Sequence, residues 1–331
     1  MIGFDIGTRL YRKALVVGTR LDEWLGDRFG PRARLLFRAQ TGIARWVGDR
    51  RISRREASII TKDQIDCLPH RFEPGDLLLA RREWFVSNVA MPGFWKHSAL
   101  YVGTPTRRQA LGADPSVVAW VRAEGIESGD LEEFLRARYP SVYELHLTRE
   151  TDGVRSVLES TAEGVGFSTL ERAAAADSLA ILRPQVTPLL KAKAIAKAFS
   201  FYGRPYDYAF DFSSDESLIC SELIYRCYFP GSGEEGLDFP LPTIAGKPAM
   251  PTNEIARTFA ETFGTEKQAL DLVLFLDGDV KSGKAGRAPV DEFLKTWNRP
   301  EWHPIVTLTK SDDTRDVVVT LTAPPPHFSE D

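Results

Sequence analysis

Four short runs suited to β-strands punctuate the middle of the chain: DLLLA (76–80), HSALYVG (97–103), RSVLEST (155–161) and SLAILRP (178–184). Each has the length of a single strand and is bounded by turn residues. A Pro-Gly turn in EPGD opens the first, and Gly103 with the following TPT closes the second. Helical patterns lie among them. In GDLEEFLRARY (129–139), Ser128 or Asp130 can cap a helix whose apolar stripe is Leu131, Phe134 and Leu135. In VTPLLKAKAIAKAFSFY (186–202), Leu189, Ala192, Ala196 and Phe199 fall on one side, and LICSELIYRCYF (218–229) repeats the apolar spacing. A compact domain of strands and helices therefore starts near residue 71.

The flanks read differently. Residues 1–70 are expected to form an N-terminal helical segment, with Leu35, Leu36, Ile43 and Trp46 at helical spacing. Residues 1–60 hold 13 Lys and Arg against 6 Asp and Glu. That excess reads first as a solvated helical face and second as a peripheral contact with a membrane surface or an acidic partner. Residues 281–331 read as a C-terminal extension, a KSGKAGR linker running to a frayed APPPHFSED end, and residues 104–152 read as polar loop with a single helix, 129–139.

Composition removes several function classes. A net charge of -4 and a pI near 5.9 argue against a nucleic-acid partner. Three cysteines and five histidines, with no H-x-x-x-H or C-x-x-C spacing, leave no metal site, disulfide framework or nucleotide fingerprint, so no cofactor is expected. No secretory leader is legible in the first 25 residues and no apolar run approaches the roughly 18 residues that span a bilayer. The expected location is cytoplasmic, with membrane association as the second reading.

What remains is thiol chemistry. A cysteine becomes a nucleophile when its thiolate is stabilised, and a helix N-terminus with a neighbouring imidazole does that. Cys220 sits where the LICSELIYRCYF helix begins, whereas Cys227 lies two turns further along and reads as a small buried hydrophobe. Taken alone, Cys220 has a structural reading as well. Among the histidines, His97 is the one that starts a strand, with Trp95, Ala99 and Tyr101 expected on its face; His70, His303 and His327 lie in loop or tail, and His146 alternates with apolar residues in YELHL. A histidine base needs an acceptor to fix its tautomer. Glu159, a carboxylate inside an apolar strand, is one candidate, and Glu124 in VRAEGIESGD is its competitor.

PGDLLL, HSALYVG, VLESTAEGV, ADSLAILRP, YGRPYDYAFDF and CSELIYRCY, in that order over about 73–280, resemble the permuted, YiiX-like branch of the NlpC-type papain-like thiol hydrolases. The resemblance implies an α+β, circularly permuted papain-like fold over 71–280: a small antiparallel sheet or barrel packed on the cysteine-bearing helix, departing from the family at an insertion of about 104–152. It also implies Cys220 as nucleophile, His97 as base and later acid, and Glu159 as orienting carboxylate, preferred to Glu124. Tyr202, Tyr206, Asp207 and Ser221 are expected beside the site in a binding or oxyanion role, and the GKPAMPTNEIA segment is expected to line it. The implied activity is cleavage of an amide (peptide or N-acyl) or ester bond through a thioacyl-enzyme; a silent binding module and an acyltransferase acting on lipids are the alternatives.

Overall fold

The strand-like runs become neighbours in one sheet. The structure, a computed structural model, describes residues 58–82, 93–207, 216–229, 236–244, 247–279 and 282–299, with two further strands at 305–310 and 317–322. The helical expectations at Leu35, Leu36, Ile43 and Trp46 lie outside the described residues, as does the APPPHFSED end. In chain order the elements begin with α1 (Lys62–Asp66), β1 (Leu77–Arg81) and β2 (His97–Tyr101), then α2 (Pro105–Gly112), α3 (Pro115–Ala123), α4 (Leu131–Arg138) and α5 (Pro140–Leu147). They continue with β3 (Arg149–Glu150), β4 (Gly153–Thr161), β5 (Gly164–Thr169), α6 (Leu170–Ala174), β6 (Ser178–Pro184), α7 (Pro188–Phe201) and α8 (Cys220–Tyr228). Last come β7 (Thr243–Ile244), β8 (Lys247–Pro248), α9 (Thr252–Thr262), β9 (Leu270–Asp279), β10 (Lys284–Arg287), α10 (Val290–Phe293), a 3-10 turn (Thr296–Asn298), β11 (Ile305–Lys310) and β12 (Val317–Thr322).

The main sheet has eight strands in the order β10-β9-β6-β1-β2-β4-β3, with β5 paired to β4. Every pairing in it is antiparallel. The fold is the expected α+β arrangement, but the sheet is open rather than a barrel, and it is larger than the runs in the sequence suggest. Both faces are buried. Leu77, Leu79, Leu100, Leu158, Ala180 and Leu182 face the larger core, where α7, α8 and α9 pack. Leu78, Ala80, Ala99, Tyr101, Val157, Leu179 and Ile181 face the other, covered by Ile65 of α1 and by Leu170, Ala173 and Ala174 of α6. That is why LLLA and SALYV are continuously apolar instead of alternating: neither face meets water.

Two readings of the sequence are corrected by the structure, and one strand is added to them. Residues 104–147 hold four helices where the sequence suggested one. Thr104 and Asp114 cap α2 and α3 with their side chains, and Pro105, Pro115 and Pro140 occupy first helical positions. Proline costs nothing there, because the N–H it lacks would have no intrahelical acceptor. YELHL therefore ends helix α5, and its alternation is not a strand. Asp130 caps α4, accepting from the Glu133 N–H, as one of the two candidates read from sequence. The added strand is β5, GVGFST, hydrogen-bonded to β4.

The second reading corrected is KSGKAGR, which is no linker. Its residues 284–287 pair with Leu276–Asp279 of β9. Beyond it Phe293 is fully buried against Trp95, Phe259 and Phe275. Trp95 Nε1 donates to Thr296 Oγ1 at 2.9 Å, and Thr296 Oγ1 donates to Phe293 O at 2.7 Å. Residues 284–299 thus belong to the same core as the strands. Among the described residues no helix is long and apolar enough to cross a membrane.

Candidate active site

Cys220 is the first residue of α8, and the chain is fixed just ahead of it. Leu218 N–H donates to Pro205 O at 3.0 Å, while Ser160 Oγ of β4 donates to Leu218 O at 2.6 Å. Ile219 is extended (φ -84, ψ 168), and no side chain caps the helix. The first bond back is Leu223 N–H to Ile219 O at 3.0 Å, so the N–H groups of Cys220, Ser221 and Glu222 have no intrahelical acceptor. The helix is held from its other side: Leu223, Ile224, Cys227 and Tyr228 are buried, and Tyr228 OH donates to Gly75 O at 2.6 Å. Gly75, in the Pro-Gly turn at φ +97, is needed there, because a Cβ would lie 2.7 Å from the Tyr228 hydroxyl.

β2 and β4 supply the other two groups. Ala99 is the cross-strand partner of Glu159, and His97, two residues earlier on the same side of β2, reaches diagonally past it. The small Ala99 leaves that diagonal open. His97 Nε2 meets Glu159 Oε2 at 2.6 Å, with side-chain exposures of 15% and 8%. With Nε2 engaged by the carboxylate, Nδ1 is the nitrogen left for the Cys220 sulfur, and the two groups act on each other's protonation.

Electrostatics couple the three groups. Burial pushes the Cys220 thiol up, but hydrogen bonding and charge from His97, with the Ser98 backbone and the Thr252 side chain, bring it down to about 7. For His97, burial alone lowers basicity; hydrogen bonding and charge from Cys220 and Glu159 outweigh it and raise the imidazole to about 9. Burial likewise opposes ionisation of Glu159, and the His97 contact, the charge of Arg82 and the Ser168 hydroxyl hold it down at about 2. The arrangement favours a thiolate, an imidazolium and a carboxylate together. Cys227 is the contrast: burial drives its thiol up to about 12.

The remaining expected residues are scattered around this centre. Glu124 closes α3 at the surface and pairs with Arg138 at 3.3 Å. Tyr202 closes α7 and stacks on Phe167, ring centroids 5.4 Å apart, and Tyr206 is half-buried against the larger core. Asp207 is buried and its N–H donates to Leu218 O at 3.4 Å, and its charge helps raise Glu222, whose carboxyl burial alone already pushes up, to about 8. Ser221 follows Cys220, buried, its Oγ without a hydrogen-bond partner among the described residues. Trp95 does not share the His97 face as expected: it precedes β2 and its indole packs between Phe94, Phe275 and Phe293.

One close neighbour of the sulfur was named only through its segment. Thr252, the first residue of α9, places Oγ1 3.6 Å from Cys220 Sγ. In GKPAMPTNEIA the proline marks the helix start. Nothing in the sequence marks the hydroxyl after it. No group of three or more His, Cys, Asp or Glu side chains suited to a metal occurs among the described residues, and the three cysteines are free.

An antiparallel sheet with histidine and carboxylate on adjacent strands, followed in the chain by a cysteine at the start of a helix packed against it, is the permuted form of the papain-like fold. The family model for permuted papain-like amidase enzymes, YaeF/YiiX, C92 family, matches residues 71–236, half of the chain, and the chain belongs to that family. The family name carries papain-like amidase activity. No match was found among curated proteins, and none among solved structures.

Proposed function

We propose that this protein is a cysteine amidase working through a thioacyl-enzyme, with Cys220 as nucleophile, His97 as general base and acid, and Glu159 as the carboxylate that orients and charges the imidazole. The observation that carries the reading is the His97 ring, held at 2.6 Å by the buried Glu159, beside a thiol that the imidazole helps bring down to about 7. Over neutral pH the thiolate attacks the amide carbonyl carbon, forming the C–S bond and moving the carbonyl π pair onto oxygen. Collapse of that tetrahedral species breaks the C–N bond, and the nitrogen leaves with the proton from His97. Water then gives a proton to His97 as its oxygen bonds to the acyl carbon; the thiolate departs and the acid is released. The N–H groups at the start of α8, which have no intrahelical acceptor, are available to the oxyanion.

The substrate class we assign is an amide, peptide or N-acyl, in line with the family's amidase description. The experiment is hydrolysis of N-acyl p-nitroanilides by the full chain between pH 5 and 10. A bell is expected, rising through about 7 as the thiol ionises and falling through about 9 as the imidazolium is lost. Cys220→Ala and His97→Ala should abolish it. Turnover that survives in Cys220→Ala would sink the mechanism.

A further inference from the structure

The family match ends at residue 236, yet the hydroxyl in hydrogen-bond contact with the Cys220 sulfur comes from residue 252. Thr252 is 2% exposed, and the sulfur is the hydrogen-bond partner of its Oγ1 among the described residues. The helix it opens is placed with unusual firmness. Asn253 Oδ1 accepts from the Trp95 N–H at 3.3 Å, two residues before His97, and Asn253 Nδ2 donates to Trp297 O at 2.8 Å. Gly93 lies so close that a Cβ there would sit 2.3 Å from Asn253 Cγ. The start of α9 is therefore clamped between the strand that carries the histidine and the C-terminal 3-10 turn.

A threonine at a first helical position is common, and its hydroxyl ordinarily faces water or the backbone. Here it is buried against a sulfur whose other polar neighbours are His97 from β2 and the Ser98 backbone. The charged groups that act on the sulfur are His97 and, through it, Glu159 from β4; Glu222, on the sulfur's own helix, turns its carboxylate to Arg226 at 3.1 Å. A thiolate can only accept, so in the ionised state Thr252 must be the donor. We propose that Thr252 is a further catalytic residue, its hydroxyl donating a hydrogen bond that holds the Cys220 sulfur as thiolate in the resting enzyme. The proposal rests on Cys220 being the nucleophile. It adds a contribution from the part of the chain beyond the family match.

The test needs no substrate. Alkylation of the full chain by iodoacetamide is followed peptide by peptide, so that Cys67, Cys220 and Cys227 are read separately, across pH 5 to 10. In the wild type the Cys220 rate should rise through about 7. In Thr252→Val, which keeps the shape and removes the hydroxyl, the limb should move up by about one pH unit, roughly a tenfold loss of rate at pH 6. Thr252→Ser should restore the wild-type limb. Thermal unfolding of the same samples is recorded alongside, with Thr252→Ala added: the same upward limb in Val and Ala, against a wild-type limb in Ser, assigns the effect to the hydroxyl whatever the methyl contributes to packing. A Val limb that coincides with the wild type, or a Ser limb that moves as far as Val, overturns the role of Thr252 and leaves the nucleophile standing. A wild-type Cys220 limb no lower than the roughly 8.5 of a free cysteine overturns both.

Discussion

At the scale of single residues, burial lowers the basicity of His97, and Cys220 and then Glu159 raise it. Glu159→Gln keeps an acceptor for the ring and removes the charge that helps raise it. The imidazole then loses its proton at lower pH, so the alkaline limb of the activity profile should move down from about 9, and kcat/KM at the optimum should fall by about a hundredfold. A pH–rate series on the variant checks both. Cys227→Ala is the matching control: it should cost about 1–2 kcal/mol in urea unfolding and leave the Cys220 alkylation limb where it is. These residues were legible for a chemical reason. A glutamate within VLEST and a histidine opening SALYV are misplaced unless something pays for their burial, and a cysteine where a helix pattern starts is exposed to its dipole. Thr252 was not legible, because a threonine after proline is an ordinary helix start and its sulfur partner is 32 residues away.

At the scale of elements, three of the four helices α2 to α5 are tied to the end of β2 through one buried arginine. Arg108 donates Nε and Nη2 to the two oxygens of Glu132, each at 2.7 Å, and Nη1 to Val102 O and Gly103 O, each at 2.9 Å. Tyr143 OH donates to the same carboxylate at 2.9 Å, so three of the four helices meet at this point along with the strand end. Arg108→Met should cost about 3 kcal/mol in urea unfolding, because Glu132 would lose its bidentate partner and two buried carbonyls their donor. Its effect on the Cys220 limb should be small, since the tie acts at the far end of β2 from His97. The strands were read well because both faces of the sheet are dry and the runs stand out. The helices were read poorly because their prolines, which break a helix interior, sit at first positions where they start one.

At the scale of the whole molecule, no unit ends at residue 280. A chain stopped there loses β10, Phe293 and the Thr296 hydroxyl that accepts the hydrogen bond of the Trp95 indole N–H, and with them the 3-10 turn that clamps Asn253. Such a truncation should unfold at a markedly lower temperature than the full chain and should show a Cys220 limb shifted up, both measurable on the same preparation. The sequence hid this because KSGKAGR is polar and glycine-bearing, and four residues of edge strand carry too little apolar pattern to be seen.

The spread of the site along the chain has a kinetic consequence. His97 and Glu159 are 62 residues apart, and Asn253 closes onto Trp95 across 158. Contacts so far apart form late, after much of the chain's entropy has been spent. Until β2, β4 and the starts of α8 and α9 have all docked, Cys220 is an ordinary thiol with no imidazolium beside it. On the proposed reading the nascent chain's Cys220 has only the reactivity of a free cysteine, and an alkylation limb below that of a free thiol is expected to appear only once these elements have docked.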